Sequence, residues 1–272
     1  MSWRVVARKD VRDAARSRAT WLLTALLALL FVGYAFAHGA LGESTFAAFV
    51  ARLGSAVVTV VPIVAILLGY KSVAAERDDG SLLLTLSLPH SRKDVVIGTF
   101  LGRTIVLLVP TLLTLSVAGV VGAVRYGTDG ALLFPWFLLA TVLYGAAFVG
   151  LAVGLSSASL TDRRLTMAAL GSYLILVPLY RNLHTLVLLI LHRGQAEVLT
   201  NLPDWALLAR LFQPSEAFYR LLRLGFDIEP ASRYLGPDAP LYVGWWMALA
   251  VLAAWALGPI ALGYRRFRAG DL

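Results

Sequence analysis

Six long stretches of apolar residues dominate this chain of 272 residues. A helix needs about 20 apolar residues to cross the hydrocarbon layer of a membrane. Hydrophobic residues make up 59% of the chain and charged residues only 15%, whereas soluble domains average about half and about a quarter. A soluble core is too small to bury that excess. The sequence therefore predicts an all-α integral membrane protein, a single domain over 1–272 with six spans: 20–37, 53–70, 95–124, 131–157, 165–180 and 241–264.

The fifth apolar stretch is compatible with two different paths through the membrane. Residues 165–180 are followed by the polar tetrapeptide 181–184 and then by a second apolar run over 185–191. Either one helix ends near Tyr180 and a short piece dips back into the membrane, or two short spans are present. The distribution of positive charge favours the first alternative, because a seventh span would place the C-terminal arginines outside.

Positive charge predicts the orientation of the six spans. Lys and Arg in short loops favour the cytoplasmic side. With both termini inside, the inner segments carry 15 Lys and Arg, and the short outer loops carry only Arg52 and Arg125. We therefore predict a plasma-membrane protein with cytoplasmic termini, and the excess of 21 Arg over 3 Lys favours a prokaryotic source. The inner positive residues are Arg4, Arg8, Lys9, Arg12, Arg16, Arg18, Lys71, Arg77, Arg92, Lys93, Arg163, Arg164, Arg265, Arg266 and Arg268.

The first 19 residues have the pattern of an interfacial helix. Apolar residues recur at helical spacing from Trp3 to Ala15, and basic residues that include Arg4, Arg8 and Arg12 fill the other face. A helix with a basic face and an aromatic residue on its apolar face lies flat on a membrane. An equally good interpretation is that these arginines only set the orientation of the first span.

The inner loop 71–94 is predicted to contain a short helix of its own. Charged residues precede Gly80, Ser81 caps an apolar stretch over 82–88, and Pro89 and Ser91 end that stretch and start the next helix. Seven apolar residues are too few to span a membrane. This helix needs cover from a partner protein or from the membrane, or it rests on its own bundle.

The segment 181–240 is predicted to be extracytoplasmic and re-entrant or amphipathic. A helical stretch from Pro203 to Leu224 is interrupted at residues 213–215. Such a segment could shape an exit gate, although interfacial helices more often only seal the outer face of a bundle.

Several function classes lose support from what the sequence lacks. The chain has no cysteine, and its acidic residues all fall in loops or at span ends, whereas ion-coupled carriers usually need an intramembrane carboxylate. None of its three lysines follows a glycine, so it contains no phosphate-binding Gly-Lys motif. The chain is predicted not to be an enzyme and to need no metal or cofactor. ATP would be supplied by another subunit.

The inner loop carries a family resemblance. Glu76-Arg77-Asp78-Asp79-Gly80-Ser81-Leu82-Leu83-Leu84-Thr85-Leu86-Ser87-Leu88-Pro89-His90-Ser91-Arg92, followed by Val95-Val96-Ile97-Gly98-Thr99-Phe100-Leu101-Gly102, resembles the signature of type-2 ATP-binding-cassette permeases. Residues 212–218 resemble a segment of the NosY-like branch, which is linked to nitrous-oxide-reductase maturation. Against the family pattern, Leu83 replaces a glutamate, Thr99 a lysine and Ser81 a threonine.

This resemblance implies a subunit that works with an ATPase. It implies that the loop is a coupling helix seated on the ATPase, with Leu82, Leu86 and Pro89 as buried anchors and Glu76, Arg77 and Arg92 as rim charges. Gly80, Ser81 and Ser91 complete the coupling interface. The N-terminal helix, with Trp3, Arg4, Arg8 and Arg12, would be the elbow helix in contact with lipid.

The resemblance also implies a stoichiometry and leaves two functions open. Two permease subunits, identical or different, would pair with two ATPase subunits, with no nucleic acid involved. The expected activity is ATP-driven transport, with export favoured. The alternative is a membrane anchor that recruits a cytoplasmic partner without transport. Direct copper transport is disfavoured because the chain has no cysteine and only three methionines.

Overall fold

A computed structural model describes residues 3–41, 45–78, 91–158, 160–199, 202–226 and 240–269. All regular elements in these ranges are helical. Six helical segments are long and apolar enough to cross a membrane, which confirms the predicted all-α membrane architecture. In chain order the helices are α1 Trp3–Arg16, α2 Arg18–Ala37, α3 Phe46–Gly69, α4 Ala74–Asp78, α5 Arg92–Tyr126, α6 Phe134–Ser156, α7 Asp162–Leu174, α8 Tyr180–Leu191, α9 Asp204–Leu211, α10 Pro214–Leu222 and α11 Trp245–Ala269.

The fifth spanning segment differs from the prediction. It is one helical path over Asp162–Leu191, in which the π-helical turn Ile175–Leu179 joins α7 to α8. Pro178 lies in that turn and has no N–H to donate, so the wider turn accommodates it without ending the helix. The predicted break after Tyr180 is absent because the polar tetrapeptide stays helical, with His184 Nε2 lying 3.0 Å from the Ala206 carbonyl oxygen of α9.

Helix α6 lies at the centre of the bundle and contacts α3, α5, α10 and α11. Its closest neighbour is α11, because Gly150 and Gly154 carry no side chains on the face between them. A Cβ on Gly150 would overlap the Ala256 carbonyl, and one on Gly154 would overlap the Pro259 backbone. Small residues of this kind let membrane helices pack backbone to backbone.

We call the end of the bundle that holds α1 and the C-terminus of α11 the inner end, and the opposite end the outer end. At the outer end, α9 and α10 are separated at Gln213, where the sequence predicted the interruption. Ser215 Oγ lies 3.1 Å from the Tyr144 hydroxyl, and Tyr144 lies ten residues into α6, about 15 Å from its outer end. The turn between α9 and α10 therefore reaches into the bundle instead of only covering its outer face.

Two side-chain bonds hold that turn in place. Gln213 Nε2 donates to the Leu176 carbonyl at 2.8 Å, within the π-helical turn, and Trp255 Nε1 donates to the Phe212 carbonyl at 2.9 Å. Gln213 is only 3% exposed, and a buried amide is stable only when it is hydrogen-bonded. The turn thus connects the fifth and sixth spanning segments.

Candidate coupling site at the inner end

Only the two flanks of the predicted coupling loop lie within the described residues. Residues Gly80, Ser81, Leu82, Leu86 and Pro89 lie outside the described residues, whereas the flanks up to residue 78 and from residue 91 are described. The flanks show which helices the loop is attached to, and hence which helices a force on the loop would reach.

The first flank is attached to the inner end of α6. The backbone N–H groups of Val73 and Ala74 both donate to Ser156 Oγ, at 2.9 and 3.1 Å. All three residues are buried. One hydroxyl therefore accepts from two amides at the point where the chain leaves α3 and enters α4.

The charged residues of this flank contact other helices of the same chain. Glu76 Oε1 lies 3.6 Å from Lys9 Nζ of α1, and Arg77 Nη2 donates to the Leu160 carbonyl at 3.3 Å. Lys71 Nζ lies 2.7 Å from Asp162 Oδ1 at the start of α7. The first flank is thereby linked to α1, α6 and the fifth spanning segment.

The second flank is attached to α11. Ser91 begins α5 as a capping box, with Asp94 N donating to Ser91 Oγ at 3.1 Å and Ser91 N donating to Asp94 Oδ2 at 3.2 Å. Arg92 Nη1 donates to the Phe267 carbonyl, and its guanidinium lies 5.3 Å from the centre of the Phe267 ring. Arg92 therefore ties the start of α5 to the end of α11.

Helix α1 packs along the inner part of α5, where two glycines make room for it. A Cβ on Gly98 would lie 2.6 Å from the Val6 Cβ, and one on Gly102 would lie 2.7 Å from the Asp10 Cβ. These glycines are four residues apart, so they share one face of α5. The glycines of the family signature thus form the surface of α5 against which α1 packs.

An ion pair closes the contact between α1 and α5. Arg103 Nε lies 3.1 Å from Asp10 Oδ2, and both side chains are partly buried. Burial raises the pKa of the Asp10 carboxyl, and the Arg103 guanidinium acts in the opposite direction. The Arg103 guanidinium, near the inner end of α5, is thus directed to Asp10 of α1.

The histidines contribute to packing in the described residues. His38 is fully buried and its Nδ1 is 2.8 Å from the Tyr34 hydroxyl, and its ring meets Tyr126 edge-on at 4.9 Å. Within the described part of the chain, no group of three or more His, Asp or Glu residues is placed to hold a metal ion.

Comparison with known proteins identifies the family of this chain. Residues 4–272 match the family described as ABC-2 family transporter protein. The chain belongs to this ABC-2 transporter family. It is 34% identical over 275 residues to the probable ABC transporter permease protein NosY of Pseudomonas aeruginosa, covering 97% of this chain and 96% of the relative. It is 30% identical over 272 residues to the protein of the same name from Stutzerimonas stutzeri, covering 93% and 96%.

The predicted permease architecture is therefore confirmed at the level of the family. The chain is a multi-pass permease subunit of an ABC transporter in a prokaryotic membrane, and membership implies association with an ABC ATPase. In this ABC-2 permease, Glu76, Arg77 and Arg92 contact other residues of the chain. The family resemblance implies a docking-rim role for these three charges, and that role stays a prediction beside their contacts within the chain.

The sequence did not point to Ser156, Phe267 or Asp10 as parts of this site. Ser156 lay near the end of a predicted span, Phe267 lay just beyond the end of another, and Asp10 was one charge among many in α1. Gly98 and Gly102 were noticed only as letters of the family signature, although their four-residue spacing is a known signal for close helix packing.

Ser156 provides a direct test of the loop attachment. We expect Ser156→Ala to destabilise the protein by about 2 kcal/mol, because two buried N–H groups lose their acceptor. Hydrogen–deuterium exchange should accelerate in residues 70–78. The neighbouring Ser157→Ala is the matched control, since Ser157 Oγ only bonds back to the Val153 carbonyl of its own helix. Equal acceleration in both variants would contradict the assigned role of Ser156.

Proposed function

We propose that this chain is the membrane subunit of an ATP-driven exporter and that the loop 79–90 transmits motion from the ATPase to the spanning helices. In this proposal both termini are cytoplasmic, and two permease subunits pair with two ATPase subunits. The chain itself hydrolyses no ATP. Leu82, Leu86 and Pro89 of the loop are the side chains that become buried in the ATPase.

The observation that supports transmission is that the two flanks of the loop are attached to different helices. Ser156 connects the first flank to α6, and Arg92 connects the second flank to α11. Since α6 and α11 also pack backbone to backbone through Gly154 and Gly263, a displaced loop pushes a closely packed helix pair. Packed elements of this kind move as rigid bodies.

The described contacts extend this path to the outer end. Helices α6 and α11 both contact α10, and the turn before α10 is bonded to the π-helical turn of the fifth spanning segment. Motion of the α6–α11 pair would therefore act on α9 and α10, which we call the outer segment. In this proposal the outer segment is the exit gate.

The test is co-purification of the tagged permease with its candidate ATPase, followed by ATP hydrolysis measured in lipid. We expect the Gly80→Asp/Leu86→Asp variant to lose association and membrane-stimulated hydrolysis by at least about tenfold, because charges would enter a buried contact. Leu132→Asp is the control: Leu132 is 95% exposed at the outer end, and its replacement should change neither quantity.

A further variant separates transmission from simple attachment. Arg92→Ala removes the tie to α11 and leaves the predicted anchors intact, so it should retain the ATPase while losing stimulation of hydrolysis. Unchanged stimulation in Arg92→Ala would contradict transmission through the second flank. Association that persists with unchanged hydrolysis in the double variant would instead favour a membrane anchor without transport.

A further inference from the structure

The outward face of α1 carries a row of positive charge. Arg4, Arg8 and Arg12 follow each other at four-residue intervals and are all exposed, so they form one stripe about 12 Å long. Together with Val5 and Lys9 they line a concavity of about 370 Å³. The opposite face of the helix is occupied by α5 at Gly98 and Gly102.

Two of the negative charges on or beside this helix pair with residues outside the stripe. Asp10 pairs with Arg103, and Glu76 pairs with Lys9. Among the described residues, no carboxylate lies within ion-pair distance of Arg4, Arg8 or Arg12. The stripe is therefore an uncompensated surface that fits an anionic ligand.

The position of α1 indicates which anion is available. Only Ser17 separates α1 from the spanning helix α2. Trp21 Nε1 donates to the Ala15 carbonyl at 3.2 Å, while Trp21 and Leu22 are 67% and 71% exposed. Exposed Trp beside exposed Leu is typical of a membrane–water boundary, so α1 ends at headgroup level.

The concavity also contains an apolar residue. Val5 is 58% exposed between the arginines, so the surface offers cations to a phosphate and an apolar contact to the adjoining glycerol and acyl region. We infer that Arg4, Arg8 and Arg12 form a binding site for the headgroups of anionic phospholipids. Arginine suits this role because its planar guanidinium can donate two hydrogen bonds to one phosphate.

The test uses the full-length permease without any ATPase, so that it is independent of the proposed coupling. The protein is incubated in detergent with equal amounts of phosphatidylglycerol and phosphatidylcholine, and the lipids retained are measured by native mass spectrometry. We expect Arg4→Gln/Arg8→Gln/Arg12→Gln to lower the ratio of retained phosphatidylglycerol to phosphatidylcholine at least about fivefold. Arg4→Lys/Arg8→Lys/Arg12→Lys should keep most of it.

The matched control is Arg163→Gln/Arg164→Gln/Arg266→Gln, which removes the same charge from three exposed arginines elsewhere at the inner end. It should retain phosphatidylglycerol like the wild type. An equal loss in the control would show a general charge effect and overturn the site. Unchanged retention of phosphatidylglycerol in the α1 variant would equally overturn it.

Discussion

Replacing Gly263 by leucine is expected to destabilise the protein by about 3 kcal/mol or more. A Cβ at this position would overlap the Gly154 carbonyl, so α6 and α11 would have to separate along their closest contact. Overpacking a well-filled core costs about 1–3 kcal/mol, and backbone has less freedom to yield than a side chain. In detergent, the midpoint of thermal loss of the monodisperse peak should fall by about 10 °C.

The same helix provides the control for this experiment. Gly258 also lies within α11, and a Cβ there would meet no atom within 4 Å. We expect Gly258→Leu to leave stability unchanged or to raise it slightly, because leucine has a higher helix propensity than glycine. Equal losses in the two variants would contradict the view that the α6–α11 contact holds the bundle together.

The second large effect is expected at the ion pair of the outer segment. Arg210 Nε lies 3.6 Å from Glu216 Oε1, and both side chains are only 10% exposed. Breaking a buried ion pair by removal of one partner typically costs about 3–5 kcal/mol. We therefore expect Glu216→Leu to destabilise the protein by that amount, measured as the same thermal midpoint.

The double variant shows whether this loss comes from the remaining charge. Arg210→Leu/Glu216→Leu leaves neither charge in the bundle, and replacing a buried pair by apolar residues is often neutral or stabilising. It should recover most of the stability lost in Glu216→Leu. The single variant Arg210→Leu completes the comparison. If the loss in the double variant equals the sum of the losses in the two single variants, the residues do not interact, and the ion pair does not hold the turn between α9 and α10.

This ion pair also revises one argument made from the sequence. Glu216 belongs to no apolar stretch, and the sequence therefore placed it outside the bundle. The structure packs α10 against α6 and α11, which brings Glu216 and Arg210 into the interior. A hydropathy count finds carboxylates within apolar stretches, and it misses one that the short helix α10 carries into the bundle.

The interrupted fifth span shows a similar limit. The apolar run 165–180 is shorter than a typical membrane span, and the polar tetrapeptide 181–184 after it predicted a break in the helix. In the structure, α8 continues to Leu191, and α9 supplies an acceptor for His184. Whether a polar residue ends a helix depends on the partners that the fold provides, and those partners are distant in the sequence.

The sequence by itself determined the class and the layout of this protein. Its apolar stretches set the number of spanning helices, because the need to satisfy backbone groups in lipid is met within each helix. Only the tertiary structure decided which charges meet, such as Asp10 with Arg103 and Arg210 with Glu216, and which glycines lie between helices. Hydropathy is a property of each segment alone, whereas an ion pair or a close helix contact depends on the relative position of two segments.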